Sequence, residues 1–297
     1  MSFRNVMIES PAKISLKREQ LIVITDREHS LPVEDLSALL LENRQSTITT
    51  AALSRLGQSG CAVFVCDEKH MPCAVLMPFA QHSRTLAAAK TQLDASEPLK
   101  KRMWQQIIEA KISNQAACLR WNGKEDAALA ALVDRVKSGD AGNVEATAAQ
   151  QYFPLLFGPG FTRQEDNAYN AGLNYGYAIL RGYMARCLAV YGFLPAFGIH
   201  HCSTLNSMNL ADDLMEPFRP LADLLVSTGI DESDELGPEQ KRMLFNCLNL
   251  DVIAAGKHHS TAYAMELLVQ SFARSLQQKK AALIVPEITE LRQQRYE

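Results

Sequence analysis

Apolar and polar residues alternate in two different patterns along this chain. Up to about residue 80, short apolar runs are separated by polar turns, which is typical of β-strands. The predicted strands are Asn5–Glu9, Leu21–Asp26, Ala38–Glu42, Cys61–Asp67 and Cys73–Phe79. The last two strands are predicted to pair across the polar turn between them. In this part of the chain only Thr49–Leu56 has a helical pattern.

From about residue 84, apolar residues recur at spacings of three and four, which predicts helices. The predicted helices are Leu86–Leu93, Leu99–Cys118, Asp126–Lys137, Asn143–Phe153, Asn167–Val190, Met208–Phe218 and His259–Gln278. The predicted fold class is therefore α+β: a small N-terminal β-rich domain at residues 1–82, followed by a larger, mostly α-helical domain at residues 83–297. Ala80–Ser83 is the predicted linker.

Composition bounds the class of protein. A chain of 297 residues has room for two domains, and 47% hydrophobic residues suffice for a substantial core. The net charge of −3 does not indicate a nucleic-acid partner, so any DNA binding must come from local basic patches. Seven scattered cysteines without a CxxC pair predict reduced, mostly buried thiols. Without a signal pattern or a membrane-length apolar run, the expected location is the cytoplasm.

Two acidic residues share one face of the predicted helix Met208–Phe218. At about 100° per residue, Glu216 falls within about 60° of Asp213, away from the apolar stripe. Spacing alone leaves Asp212 as an equal alternative to Asp213. A solvated acidic face is the commoner explanation of such a pattern, so the helix by itself does not establish a site.

Other candidate ligands lie in separate segments. His200 and His201 stand in a loop or at a helix end, where one of them could face a cleft. Glu145 lies near the start of a helix, with Asn143 as the predicted N-cap, and the helix dipole there favours an ionised carboxylate. Carboxylates and a histidine drawn together from separate segments are what a divalent metal needs to activate a phosphodiester.

Three ordered segments carry a family resemblance. They are Asn143–Ala149 (NVEATAA), Gly198–His201 (GIHH) and Asp213–Arg219 (DLMEPFR). In this order they resemble the motifs of the CRISPR-associated integrase family, which inserts new spacers into CRISPR arrays. Asp166–Ala178 resembles the Asn-rich helix of that family, and Trp104–Gln115 is similar to the variant found beside type II systems. Ala146 departs from the pattern, because many members carry glycine there.

The resemblance implies a site and a reaction. Glu145, His201 and Glu216 are implied as ligands of Mg²⁺ or Mn²⁺, with Asp213 beside them as a supporting carboxylate and further candidate ligand. All four are implied as catalytic residues. The implied reaction is attack of a DNA 3′-hydroxyl on a phosphodiester at a CRISPR repeat, which inserts a short duplex. With water as the nucleophile the same chemistry becomes nicking.

The resemblance also implies an assembly. Two copies dimerise through their β-rich domains, and two such dimers flank a dimer of a small CRISPR-associated partner protein in a 4:2 complex that carries double-stranded DNA. Contacts to the DNA backbone would come from basic side chains. The candidates are Arg84, Lys111, Arg163, Arg219 and Lys257.

Two alternatives remain at this point. One is a non-catalytic DNA-binding scaffold subunit whose acidic residues are vestigial. The other is a zinc protein that uses a His/Cys cluster. Its candidate ligands are His200, His201, Cys202, His258 and His259. Adjacent residues rarely bind one zinc ion, and no second Cys/His pair has the usual spacing.

Overall fold

The N-terminal part of the chain is built of two small sheets. The computed structural model describes residues 4–78, 83–232 and 235–293. The N-terminal elements are β1 (Arg4–Ile8), β2 (Lys13–Lys17), β3 (Gln20–Ile24), β4 (Glu28–Pro32), β5 (Leu36–Leu41), β6 (Thr47–Ile48), α1 (Thr50–Ser59), β7 (Ala62–Cys66) and β8 (Pro72–Leu76). One sheet has the strand order β1-β5-β7-β8 and the other the order β4-β3-β2-β6.

The two central strands of the first sheet, β5 and β7, are largely buried on both faces. Strands β1, β5 and β7 run parallel, and β8 returns antiparallel to β7, which confirms the predicted hairpin. Because side chains alternate along a strand, Leu39 and Val63 join a core shared with the second sheet and α1. Their neighbours Leu40 and Phe64 belong to the core of the helical part. This two-sided burial explains why β5 and β7 are almost continuously apolar.

The C-terminal part is mostly helical. Its elements are α2 (Thr85–Leu93), α3 (Glu97–Trp121), α4 (Ala127–Ala130), α5 (Val144–Phe157), α6 (Ala168–Val190), α7 (Asn209–Met215), α8 (Arg219–Gly229), α9 (Pro238–Phe245), β9 (Leu250–Ala254), β10 (Lys257–Ser260), α10 (Thr261–Gln278) and β11 (Glu287–Gln293). Strand β9 is the centre of a three-stranded antiparallel sheet with the order β10-β9-β11.

Helices α3 and α6 run through the core and position the other elements. Trp104 in α3 and Tyr175 and Tyr183 in α6 are among the largest fully buried side chains. The first sheet packs directly on α6, where a Cβ at Gly182 would lie 2.3 Å from the ring of Phe64. Only glycine therefore allows this close approach of helix and strand.

Three sequence predictions are wrong in this region. The predicted helix Asp126–Lys137 is α-helical only over Ala127–Ala130, and after a turn a short 3₁₀ helix follows over Val133–Arg135. The predicted start of the last helix at His259 belongs to β10, and Ser260 caps α10 by accepting from the Tyr263 N–H at 3.3 Å. The predicted helix Met208–Phe218 is α-helical only over Asn209–Met215 and ends in a 3₁₀ turn over Glu216–Phe218.

The fold class is confirmed: a strand-rich N-terminal region precedes a helical region. The domain boundary at residue 82 stays a prediction, and Ala80–His82 of the predicted linker lie outside the described residues. All seven cysteines are free thiols, five of them buried, as predicted. Among the residues that the structure describes, every helix is too short or too polar to cross a membrane.

Candidate active site

Glu145 stands in the first turn of α5. The cap of this helix is Asp140, whose two carboxylate oxygens accept from the N–H groups of Val144 at 2.9 Å and Glu145 at 3.0 Å. The prediction of Asn143 as the side-chain cap is wrong: it takes the left-handed conformation at φ 50° and makes no capping bond. Asp140 thus satisfies the helix end, which leaves the carboxylate of Glu145 free to point into the site.

Glu216 enters the site from a break between two helices. Helix α7 ends at Met215, and a 3₁₀ turn over Glu216–Phe218 leads into α8. The expected solvated acidic face is absent here, because the side chain of Glu216 is only 5% exposed. Its Oε1 forms an ion pair with Arg219, with Nε 2.9 Å away. The proline at position 217 lacks the N–H that would continue the helix, which accounts for the tighter turn.

Lys111 joins the two glutamates. Its Nζ lies 2.6 Å from Glu145 Oε1 and 2.6 Å from Glu216 Oε2, so carboxylates from two separate elements converge on one ammonium. Burial disfavours the ammonium, but the two carboxylates outweigh it and raise the pKa of Lys111. Burial likewise opposes the charge of Glu216, yet Lys111 and Arg219 together lower the pKa of this carboxyl. Pairing within the cluster therefore favours the charged forms of Lys111 and Glu216 over their neutral forms.

His201 is oriented by Asp213. Its Nδ1 lies 2.6 Å from Asp213 Oδ1, and its backbone N–H donates to the same oxygen at 3.1 Å. This bond raises the pKa of His201, more than burial lowers it, and Glu216 and Glu145 act in the same direction. Because Nδ1–H faces the carboxylate, Nε2 is the nitrogen of neutral His201 that remains available as a ligand or base.

Asp213 is fully buried behind His201. Its second oxygen accepts from the N–H groups of Ile199 at 2.6 Å and His200 at 3.0 Å. The loop approaches so closely that a Cβ at Gly198 would lie 2.3 Å from the carbonyl oxygen of His201 and 2.6 Å from Asp213 Oδ2. The glycine of the GIHH motif is therefore required by the packing of this loop on Asp213.

His200 packs on α3. Its ring stacks on the buried ring of Trp104, with centroids 4.0 Å apart and planes at 2°. The ring of His201 stands edge-on to the same indole at 5.7 Å. Within residues 4–78, 83–232 and 235–293, no three His, Cys, Asp or Glu side chains already enclose a metal position. The His/Cys cluster considered for zinc is therefore not arranged as a zinc site among these residues. The two glutamates contact the ammonium of Lys111.

Comparison with known proteins decides the family. The model of the family described as CRISPR associated protein Cas1 matches residues 6–235.

The chain belongs to the Cas1 family.

Among Cas1 relatives, it is 44% identical to the CRISPR-associated endonuclease Cas1 of Neisseria meningitidis serogroup C (strain 8013), over 304 aligned residues that span the whole of both chains. The resemblance to the CRISPR-associated integrase family is thus confirmed.

Two solved structures show the same fold. A casposase bound to integration product matches with a TM-score of 0.75 at 21% identity, over 96% of this chain and 93% of that chain. A Cas6-RT-Cas1–Cas2 complex matches with a TM-score of 0.69 at 20% identity, over 95% of this chain and 36% of that chain. At such low identity the likeness concerns the Cas1 fold alone.

An aromatic platform supports Arg219 beside the glutamates of this Cas1-family site. The Arg219 guanidinium lies over the ring of Tyr177 at 4.6 Å from the centroid, and that of Arg163 lies over the same ring at 5.5 Å. The hydroxyls of Tyr177 and Tyr152 both donate to the buried carboxyl of Asp223, the latter at 3.0 Å. Burial raises the pKa of Asp223 to about 6. Tyr177 thus contacts both the buried Asp223, through its hydroxyl, and Arg219 of the charged cluster, through its ring.

The basic residues predicted to bind DNA occupy different positions. Lys111 and Arg219 lie within the charged cluster, and Arg163 is bonded to Asn170 and, at 2.8 Å, to Asn174. Two others are exposed on other elements: Arg84 immediately before α2 and Lys257 in β10. Their part in DNA binding stays a prediction.

Three contributors to the site were not predicted from the sequence: the cap Asp140, the buried Asp223, and the bridging position of Lys111. Two had a signal. Lys111 interrupts the apolar stripe of α3, and Asp223 interrupts the run LADLLV of α8. A lone charged residue inside an apolar stripe is rarely buried without a partner. Asp140 had none, because many aspartates precede helices.

Proposed function

We propose that this chain is a metal-dependent DNA integrase and endonuclease. It joins the 3′-hydroxyl ends of a short duplex to phosphodiesters at a CRISPR repeat. The observation that carries this proposal is the convergence of Glu145 and Glu216 on one cation position, 2.6 Å from each, beside an oriented histidine. The relative in Neisseria meningitidis is named an endonuclease, and the casposase neighbour is bound to integration product. Both support this class of reaction.

The donor set suits a divalent metal. Glu145 Oε1 and Glu216 Oε2 are anionic oxygens that already meet at one point, and His201 Nε2 is the third candidate donor. Mg²⁺ prefers oxygen, whereas Mn²⁺ accepts an imidazole nitrogen more readily, so we expect Mn²⁺ to bind at least as well. When bound, such a metal offsets the charge on a phosphodiester and lowers the pKa of an attacking hydroxyl.

Asp213 acts in this proposal as a positioning residue. Both of its oxygens are engaged by loop N–H groups and by the ring of His201, which leaves it no free side toward the metal. It holds His201 with Nδ1 protonated and Nε2 turned outward. Such carboxylate–histidine pairs fix the ring and raise its basicity. His201 then either ligates the metal or takes up the proton of the attacking hydroxyl.

The DNA backbone is proposed to lie over the exposed side of Glu145, whose side chain is 28% exposed. Arg163 and Arg219 share the ring of Tyr177 and present fixed guanidiniums, which suit phosphate oxygens. Because the chain carries a net charge of −3, binding must depend on such local positive groups. We expect DNA affinity to fall steeply with salt.

The proposed assembly follows the solved neighbours. One of them is a Cas6-RT-Cas1–Cas2 complex, and we propose that this chain likewise works with a small Cas2-like protein. A homodimer through the β-rich residues 1–82 and a 4:2 stoichiometry complete the proposal. Mass measurement of the mixed proteins by multi-angle light scattering tests it: four copies of this chain for two of the partner are expected.

An integration assay tests the function. A supercoiled plasmid that carries a CRISPR repeat is incubated with a labelled short duplex, the partner protein and Mn²⁺. We expect wild type to transfer label to the plasmid, and Glu145→Gln and His201→Ala to lose transfer by at least about 100-fold. His200→Phe is the matched control, because it keeps a ring stacked on Trp104, and it should transfer label like wild type.

The outcomes of this assay distinguish an integrase from a non-catalytic DNA-binding scaffold. Loss of transfer in His200→Phe but not in His201→Ala would contradict the assigned register of the motif. If wild type binds DNA but neither joins nor nicks it with either metal, the chain is a non-catalytic scaffold. Retention of DNA binding by an inactive Glu145→Gln protein excludes a pure scaffold, since only chemistry is then lost.

A further inference from the structure

The ammonium of Lys111 lies between the two carboxylates that are proposed to hold the metal. It contacts Glu145 and Glu216 at 2.6 Å each, and its side chain is only 11% exposed. Two carboxylates cannot share a buried position without a cation, because their repulsion and desolvation are costly. Lys111 supplies that cation in the protein by itself.

The charges of this cluster are already balanced. The two glutamates are matched by the ammonium of Lys111 and the guanidinium of Arg219. Adding a divalent cation to this arrangement would leave two surplus positive charges in a largely buried site. Such a surplus is removed either by excluding the metal or by bringing in an anion.

We propose that Lys111 is an internal competitor of the divalent metal, and that metal binding releases its ammonium from Glu145 and Glu216 to a DNA phosphate. This inference rests on the proposed function, in which these two glutamates hold the metal. Lys111 would thereby couple the binding of metal to the binding of DNA phosphate. The metal binds the two carboxylates, and the displaced ammonium then needs a new anion. Metal and DNA phosphate then favour each other's binding.

The opening of the site allows the exchange. Glu145 is the more exposed of the two carboxylates, and its helix begins there, so cation and phosphate can enter from that side. Lysine suits this role because its long, flexible stem lets the ammonium move while it keeps its charge. Glu216 stays fixed in the meantime, because Arg219 holds its other oxygen at 2.9 Å.

Titration of the full-length protein with Mn²⁺ in the absence of DNA tests the competition. Free Mn²⁺ is followed by its electron paramagnetic resonance signal. We expect Lys111→Met to bind Mn²⁺ at least about tenfold more tightly than wild type, because one charge-assisted competitor is removed. The control is Lys100→Met, which removes a lysine of the same helix that pairs with Glu97 at 3.1 Å. It should bind Mn²⁺ like wild type.

One further variant and two further measurements keep the test decisive. Lys111→Arg retains the positive charge, so it should bind Mn²⁺ no more tightly than wild type even if Lys111→Met folds poorly. Mn²⁺ should raise the melting temperature of Lys111→Met more than that of wild type. In DNA binding at constant ionic strength, Mn²⁺ should strengthen the binding of a short duplex by wild type, and this gain should shrink in Lys111→Met.

The failures are distinguishable. Equal or weaker Mn²⁺ binding by a folded Lys111→Met protein overturns the competition. An unchanged metal-dependent gain in DNA affinity overturns the transfer of the ammonium to phosphate. If Mn²⁺ binding by wild type is instead insensitive to both Glu145→Gln and Glu216→Gln, the metal site of the proposed function is wrong.

Discussion

Asp213 contacts His201 twice through a single oxygen: Oδ1 accepts the backbone N–H at 3.1 Å and lies 2.6 Å from the ring Nδ1. The same carboxylate holds the two preceding residues through its other oxygen. One buried side chain thus determines both the path of the histidine loop and the face that the imidazole presents. The position of His201 is therefore a property of α7, not of the loop alone.

Replacing this carboxylate should disable the site without removing a proposed ligand. Asp213→Asn cannot accept with both side-chain atoms, so we expect DNA joining to fall by about 10–100-fold, the usual effect of losing such a supporting bond. Nitrogen NMR of the His201 ring should show loss of the pure Nδ1–H tautomer. Asp212→Asn is the control, because the carboxylate of Asp212 pairs with Arg181 and not with His201. DNA joining by Asp212→Asn should stay near that of wild type. Equal loss in both variants would refute the positioning role.

The histidine loop should not tolerate a methyl group at Gly198. Gly198→Ala places a Cβ 2.3 Å from the carbonyl oxygen of His201, which forces the loop away from Asp213. We expect a loss of DNA joining and a melting temperature lower by several degrees. At Gly160, an added Cβ meets no atom within 4 Å, so Gly160→Ala should match wild type. A native-like Gly198→Ala enzyme would contradict the described loop.

The two glutamates should differ in their contribution to stability. Glu216→Gln leaves the buried Lys111 and the partly buried Arg219 with one partner fewer, and should destabilise the metal-free protein by about 3 kcal/mol. Glu145→Gln removes a more exposed partner of Lys111 alone, and about 1 kcal/mol or less is expected. Urea denaturation without metal measures both. Equal losses would mean that the surroundings of Glu216 are not as buried as described.

Asp223 should make stability depend on pH. Burial raises the pKa of Asp223 to about 6 in the folded protein, whereas an unfolded aspartate titrates near about 3.9. The folded state therefore binds this proton more tightly. Protonated Asp223 makes its full contribution to the free energy of unfolding below the unfolded pKa. This contribution is lost as the pH rises from about 4 through about 6.

Comparison with Asp223→Asn isolates this effect. Between about pH 4 and about pH 7, wild type should lose on the order of 2–3 kcal/mol of stability that the variant does not lose. Urea midpoints at several pH values measure the difference. Parallel pH profiles for the two proteins would show that Asp223 titrates normally despite its burial.

The sequence alone determined the class of fold and the identity of the proposed site residues. Strands β5 and β7 and helices α3 and α6 were predictable because their apolar patterns are long and periodic. The motifs around Glu145, His201 and Glu216 were recognisable because their order and spacing are preserved along the chain. Elements with short or mixed patterns, such as α4 and β9–β11, were mistaken or missed, since their structure depends on packing against α3 and α10.

Only the tertiary structure decided how these residues are used. Helical spacing placed Asp213 and Glu216 side by side, but the break at Met215 turns Asp213 toward His201 and Glu216 toward Lys111. A charge inside an apolar stripe is visible in the sequence, but its partner is not. Lys111 and Glu145 are 34 residues apart and meet only when α3 packs against α5. Secondary-structure propensity depends on residues close together in the sequence. An ion pair between α3 and α5 forms only when the packing of the whole core brings these two helices together.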